Sequence, residues 1–391
     1  MNISSNRVTS IDILRGLVMM LMALDHVRDF FHISANQFDP LDLNHTTPFI
    51  FFTRWITHFC APVFVFLSGT SAFLSGLKKT KKQLSKFLLT RGLWLIVIEF
   101  AVVDLGWSFN VFYNTLVFQV IAAIGMSMII LGLLVRLNFY VILVFGIIVC
   151  CFHNFIDQYE ITRNGNVGFL WDLLHHGGFN RYEYLPDHFI LIIYPFVPWA
   201  GLMALGYCFG KVFTFERTKR TRILFYSGLG SIFLFVVIRY FNLFGDSHHW
   251  SVQKNFLFSL LSFVHVSKYP PSLLFILMTI GPALIFLSMA DQFENKISRI
   301  VSIFGRVPFF YYILHIYLIH FLSVILFFVS GHSLSENSSS HSVFLFRAPD
   351  MGFGLPGVYL VWIFVLIILY PVCRWYNKYK TENKKWWLSY L

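Results

Sequence analysis

The segment SIDILRGLVMMLMALDHVRDFFH, Ser10–His32, is long enough to cross a bilayer and mostly apolar, yet it carries Asp12, Arg15, Asp25, His26, Arg28 and Asp29. A spanning helix needs about 20 predominantly apolar residues. Arg15 and His26 are eleven positions apart, which at about 100° per residue is three turns and one helical face. Asp12 and Asp29 fall within roughly 60° of the same line. The four side chains therefore form a polar stripe on an apolar helix. A charged group facing lipid costs a few kcal/mol, so the stripe must face a bundle interior or a wet cavity. Asp12, Arg28 and Asp29 lie near the helix ends, where an interfacial position is the ordinary alternative, and Arg15 can snorkel to the nearer surface. His26, with Asp25 beside it, is less easily placed at a surface.

The rest of the chain has the same character. Its 391 residues are 57% hydrophobic, 19% aromatic and 13% charged, with a mean hydropathy of +0.66. Soluble domains carry about 25% charged residues, so water is not the only solvent, and disorder is excluded by the same composition. Candidate spans run near Ile11–Phe31, Phe49–Ser75, Phe87–Trp107, Leu116–Val135, Phe139–Ile156, Phe189–Phe213, Ile223–Phe244, Ser272–Ala290, Phe304–Phe328 and Gly357–Trp375. The expected fold is all-α: one polytopic transmembrane bundle of about ten spans, forming a single integral-membrane domain over residues 1–391.

The net charge of +11 does not indicate a nucleic-acid partner, because its placement is that of a membrane protein. Lys78, Lys79, Lys81, Lys82 and Lys86 follow the second span, and Arg136 the fourth. Lys211, Arg217, Lys219, Arg220 and Arg222 follow the sixth, Lys296 and Arg299 the eighth, and Arg374, Lys378, Lys380, Lys384 and Lys385 the last. Every second loop is basic, which places both termini in the cytoplasm. The alternate loops, 32–48, 157–188, 245–271 and 329–356, are long and rich in His, Asp, Asn, Gly and Ser. Within them Asn255–Val266 is amphipathic, and Ser333–Ser342 reads as a flexible tip. The first apolar run lacks the n-region and cleavage site of a signal peptide and is expected to be retained. Cys60, Cys150, Cys151, Cys208 and Cys373 are scattered without a CxxC pair, and no metal is implied.

Other polar positions are candidates for chemistry. Arg54 and His58 lie one turn apart in TPFIFFTRWITHFCAPVFVFLSGTSAFLSG, Thr47–Gly76, whose Ser68–Ser71 run allows close backbone approach. Pro308, Tyr312 and His315 share a face in FGRVPFFYYILHIYLIH, Phe304–His320, with Arg306 at its start. There Tyr and His can line a cavity or form an aromatic belt. Lys268 precedes the eighth span, and Glu99 and Asp104 lie in the third. No P-loop, GxSxG elbow or HExxH motif is present.

SIDILRGLVMMLMALDHVRDFF, TRWITHFCAPVFVFLSGTSAFL, KYPPSLLFILMTIGP, FGRVPFFYYILH and the terminal WWLSYL, in that order, resemble a bacterial member of the heparan-α-glucosaminide N-acetyltransferase catalytic-domain family. The Arg15–His26 spacing is also similar to the R-x10-H pattern of the wider membrane acyltransferase superfamily. The resemblance implies transfer of an acetyl or other acyl group from cytosolic acyl-CoA to an amino sugar or another glycan or envelope acceptor outside. It implies a bacterial inner-membrane location, with acetyl-CoA as co-substrate, and sets His26 at the catalytic centre with Arg15 nearer the acyl-CoA entrance. The family pattern departs at one point: the position matching His26 resembles Asn, and the catalytic His follows in the next loop, where this chain offers His32 and His45. The base is thus open between His26 and His45.

Acyl transfer needs a base, for which His is suited, donors for the oxyanion, and cations for the CoA phosphates. Asp25, His26, His45 and His58 are the catalytic candidates. Asp12, Arg15, Arg54, Lys268, Arg306, Tyr312 and His315 are candidates for substrate and acyl-CoA binding, with Arg91 and Arg222 as further near-cytoplasmic cations. The expected partners are the lipid bilayer, an acyl-CoA and the acceptor, with a homodimer allowed. A transporter or lipid flippase using the same polar cavity is the alternative function, and a structural or assembly membrane protein a third.

Overall fold

A computed structural model describes residues 8–35, 37–290, 292, 295–337, 344–383 and 385–389. Lys384, residues 338–342 of the serine-rich stretch and the last two residues of the terminal WWLSYL lie outside the described residues.

Seven helices are long and apolar enough to cross a membrane. They are α2 (Pro48–Gly76), α5 (Phe139–Ile161), α6 (Phe196–Thr214), α7 (Arg217–Phe241), α9 (Leu273–Ala290), α11 (Pro308–Val329) and α12 (Leu355–Glu382). Three more occupy the other expected spans: α1 (Thr9–Phe31), α3 (Lys81–Ile98) and α4 (Val120–Leu134). Helix α1 carries five Asp and Arg side chains, α3 begins in a lysine cluster, and α4 has only 15 residues. Two shorter helices are α8 (Phe256–Val264) and α10 (Lys296–Arg306). The first is the amphipathic segment expected near Asn255–Val266.

The all-α expectation is corrected by a three-stranded sheet. Strands β1 (Thr115–Phe118), β2 (Arg181–Leu185) and β3 (His188–Ile192) lie in the order β1-β3-β2, with β1 parallel and β2 antiparallel to β3. The runs expected to span from Leu116 and from Phe189 start in these strands, because an apolar run does not itself distinguish a buried strand from a helix. Similarly, the ninth expected span is two helices, divided at Val307. Pro308 opens α11 at a position where a missing N–H breaks no helical bond.

Local chemistry sets the other boundaries. Thr47 caps α2, and Pro48 follows it at the first turn. The helix tightens to a 3₁₀ turn at Thr57–Phe59, where Pro62 cannot donate to the carbonyl four residues back. Thr80 and Gln83 form a capping box at the start of α3. That helix continues through a π turn, Glu99–Val103, into a last turn Asp104–Ser108.

One apolar cluster joins α1 to most of the other long helices. Helices α2, α6 and α9 are mostly buried, whereas α5, α7 and α12 turn most of their apolar surface outward. A backbone bridge between His32 and Phe353 sets the start of α12 beside the end of α1. The described chain therefore begins and ends at one end of the bundle. Basic loops meet at that same end: Lys81 donates to the Leu137 carbonyl at 2.7 Å, Arg136 to Ser85 Oγ at 2.9 Å, and Lys211 lies over the Phe139 ring. The sheet and the long loops form the opposite end.

Two close crossings hold helices together. On Gly16 of α1 a methyl group would overlap the Val301 carbonyl, and on Gly305 of α10 it would overlap the Asp12 carbonyl. Gly69 of α2 and Gly206 of α6 are related in the same way, and Thr70 Oγ1 donates to the Gly206 carbonyl at 3.0 Å. At the loop end the fully buried Arg239 donates to the carbonyls of Phe263 and Ser262 at 2.9 Å, of His265 at 2.5 Å and of His248. It thereby fixes the segment leading to Lys268.

Gly16→Leu should separate α1 from α10 and lower the thermal midpoint in detergent, by the equivalent of about 1–3 kcal/mol of overpacking. Gly230→Ala, where a methyl group meets nothing, should leave the midpoint unchanged or raise it. Arg239→Met leaves four carbonyls short of a donor, and should speed proteolytic cleavage between residues 242 and 268 relative to wild type.

Candidate functional site

The stripe on α1 meets three different neighbours. At the terminal end, Arg15 Nη2 donates to Ser71 Oγ at 2.9 Å, and Asp12 lies 3.8 Å from Arg15 Nη1 and 3.7 Å from Arg306 Nε. The Gly16–Gly305 crossing is what brings Arg306 of α10 to this point. Asp12 is buried, whereas Arg15 and Arg306 are only partly so, leaving a net positive cluster at the end of the bundle that carries the basic loops.

About three turns further along, His26 Nδ1 lies 2.7 Å from His315 Nε2. His315 Nδ1 in turn lies 3.1 Å from the Tyr311 carbonyl oxygen. A carbonyl only accepts, so in neutral His315 the proton is on Nδ1 and Nε2 carries a lone pair. That lone pair accepts from His26 Nδ1–H, which leaves Nε2 of His26 unprotonated. The pair is held by aromatic walls: the His26 ring meets Trp107 edge-on at 4.6 Å and stacks on His315 at 4.9 Å, and Tyr312 lies at 6.4 Å. His315 is completely buried, and His26 keeps partial accessibility.

Asp25 faces another way. Its carboxylate accepts from Arg54 Nη1 at 2.5 Å and lies 3.1 Å from Arg28 Nη2, and Arg28 also reaches Asp29 at 2.5 Å. Two guanidinium groups thus engage Asp25, and the partner that orients His26 is His315 instead. Lys268 lies over the rings of Tyr194 and Tyr269. His58 is fully buried against Phe275, and its Nδ1 has no hydrogen-bond partner. His45 stands apart: its side chain is 65% exposed and pairs with Asp42 at 2.5 Å in the loop after α1. Glu99 and Asp104 are also buried, where they accept the backbone N–H groups of Ala122 and Val117 at 2.7 and 3.0 Å. They hold the start of α4 and the strand before it.

A cavity of about 100 Å³ lies between the two ends of the stripe, lined by Met19, Met22, Ser68, Arg91, Phe309 and Tyr312 among others. Its wall is chiefly apolar. Met22 is one turn before His26 and Tyr312 one turn before His315, so the cavity approaches the histidine pair from the terminal side. Arg91, on α3, is its cationic lining residue.

The structure therefore groups Asp12, Arg15 and Arg306 at one end, His26, His315 and Tyr312 in the middle, and Asp25, Arg54 and Lys268 on the loop side. It leaves His45 outside. Reading the sequence missed Trp107, which has no periodic signal separating it from a core aromatic. It also missed His153, Asp157 and His175, the group of metal-ligand type found among the described residues, whose ligand atoms lie within 4.8 Å of one another. The signal available was a His and an Asp four positions apart, followed by the His175–His176 pair.

No individual curated protein matches the chain. The model of the family described as heparan-alpha-glucosaminide N-acetyltransferase, catalytic, matches residues 7–238, more than half of it. The matched part contains α1 with Arg15 and His26, Arg54, His58 and the cavity residues of α2, α3 and α4, and ends before Lys268, Arg306, Tyr312 and His315. Proteins of this family are membrane N-acetyltransferases that in general use acetyl-CoA as donor. On this match the chain belongs to the heparan-alpha-glucosaminide N-acetyltransferase catalytic family.

Proposed function

We propose that this protein moves an acetyl group from cytosolic acetyl-CoA to an amine or hydroxyl of a glycan or other envelope acceptor reached from the opposite side, with His26 as the general base. The observation that carries this reading is the His26–His315–Tyr311 chain, which leaves His26 Nε2 free to take a proton beside a mostly apolar cavity. In this reading the terminal end of the bundle faces the cytoplasm of a bacterial inner membrane. Arg15 and Arg306 draw the CoA phosphates there, and the cavity takes the pantetheine arm. From Arg15 to His26 the helix rises about 16 Å, a distance an extended pantetheine can cover.

In the transfer, the acceptor nucleophile attacks the thioester carbonyl as His26 Nε2 removes its proton. The carbonyl oxygen gains charge, for which Tyr312 and Ser68 are the hydroxyl donors on the cavity wall. The C–S bond then breaks, and the CoA thiolate leaves with the proton returned from His26. A neutral imidazole is suited to both transfers near pH 7. His315 is a positioning residue, since it sets the tautomer of His26 without facing the acceptor. Asp25, Arg54 and Lys268, on the loop side, form the acceptor's approach, where the two cations suit an acceptor bearing phosphate or carboxylate. A homodimer is compatible with the outward apolar faces of α5, α7 and α12.

With the full chain purified in detergent, His26→Ala should lower acetyl transfer or acetyl-CoA hydrolysis by roughly 10²-fold or more while acetyl-CoA still binds. Absence of any acetyl-CoA binding by wild type would sink the proposal. His315→Ala should lower kcat with little change in KM, and His315→Gln, whose amide oxygen still accepts from His26 Nδ1–H, should recover part of the loss. Arg15→Ala should instead weaken acetyl-CoA binding, and the defect should be smaller for a donor lacking the 3′-phosphate if the cluster holds that group.

A further inference from the structure

The loop end of α5 presents a second pair of histidines whose protons cannot be arranged as in the first. His153 Nδ1 lies 2.9 Å from His175 Nε2. The outer nitrogen of each ring is already committed: His153 Nε2 lies 3.1 Å from the Pro271 carbonyl oxygen, and His175 Nδ1 lies 2.5 Å from Glu160 Oε1. A carbonyl and a carboxylate are acceptors, so both outer nitrogens carry hydrogen and both inner ones carry lone pairs. Two lone pairs at 2.9 Å repel unless a positive species lies between them. One proton could serve the two nitrogens. It would do nothing for the third member of the group, Asp157, which offers a carboxylate oxygen within 4.8 Å of both. Asp157 is 8% exposed, and its Oδ1 has no hydrogen-bond partner, while Oδ2 accepts from Asn154 at 2.9 Å. A buried carboxylate oxygen without a donor is expensive. A divalent cation satisfies all three groups together.

We propose that His153, Asp157 and His175 bind one divalent transition-metal ion, zinc in class. Two imidazoles and a carboxylate are the donor set of an open zinc site, with a fourth position for water. Tetrahedral zinc holds its nitrogens about 3.3 Å apart at Zn–N bonds of 2.0–2.1 Å, so a small rotation of either ring from 2.9 Å is enough. The surrounding groups are those a metal site needs. Glu160 and the Pro271 carbonyl orient the rings from behind, and Trp171 Nε1 donates to the same Glu160 oxygen at 2.8 Å. The π turn that carries His175 is locked by Asp172, which takes His176 Nδ1 at 2.6 Å, Asn180 at 2.7 Å and the Tyr182 hydroxyl at 2.5 Å. Asp157 also lines an open cavity of about 340 Å³ with Asp246, Ser247 and His249. Bound here, the ion ties the loop after α5 to the end of that helix and to Pro271, three residues from Lys268.

The test uses the full chain in detergent, stripped with chelator, reloaded with zinc chloride, desalted and analysed for metal by mass spectrometry. Wild type should retain about one equivalent, and its thermal midpoint should rise by a few degrees on zinc addition. His175→Ala and Asp157→Asn should lose the retained zinc and the thermal response, while His188→Ala, on strand β3, keeps both. Cobalt loaded into wild type should give tetrahedral absorption, a readout that does not depend on whether the variants fold. The proposal is overturned if stripped wild type retains no zinc, the result expected of a bridging proton. It is equally overturned if Asp157→Asn and His175→Ala retain as much as wild type, the result expected of zinc held by other histidines.

Discussion

The burial of a charged first helix is the constraint on which the rest of this structure depends. Asp12, Asp25 and Arg28 of α1 are each less than a tenth exposed, in a bundle whose outer surface is apolar. A charge in such surroundings survives only if a partner is brought to it. The neighbours of α1 supply those partners in order along its length: Ser71 of α2 and Arg306 of α10 at one end, His315 of α11 further on, and Arg54 of α2 near the other end. The Gly16–Gly305 crossing has the same logic in steric form, since Arg306 can reach Asp12 only if the two backbones touch.

Two histidine pairs illustrate how hydrogen-bond acceptors behind a ring decide what the ring can do in front. In the His26–His315 pair one outer nitrogen is committed to a carbonyl, so the protons run in a single direction and leave one lone pair on His26 Nε2. In the His153–His175 pair both outer nitrogens are committed, and two lone pairs are left face to face. The first arrangement suits a base and the second a cation, although the nitrogen-to-nitrogen distances differ by only 0.2 Å (2.7 against 2.9 Å).

Much of the bundle was legible from local pattern. Apolar run length marked ten helical segments, and capping and proline positions explain several of their ends. The strands β1 and β3 were not legible, because Leu116–Phe118 and Phe189–Ile192 are apolar like the helices that follow them after only one and three residues. What makes them strands is pairing with each other across a gap of about seventy residues. Part of the candidate site was visible because intramembrane charge is rare enough to attract notice. His153, near the end of an expected span, and His175, in a long polar loop, drew none, since each is ordinary until its neighbours are known.

The sequence by itself determined that this chain meets lipid, that its first helix must turn a polar stripe inward, and that its basic loops belong to one end. Those properties follow from composition and from the 100° helical step, which are local. Only the tertiary structure decided that Asp25 pairs with Arg54 and not with His26, that His315 sets the tautomer of His26, and that His45 stands in an exposed loop. Each of these depends on which nitrogen or oxygen lies within about 3 Å of another. That distance is set by how separate helices cross, and no spacing along a single helix contains it.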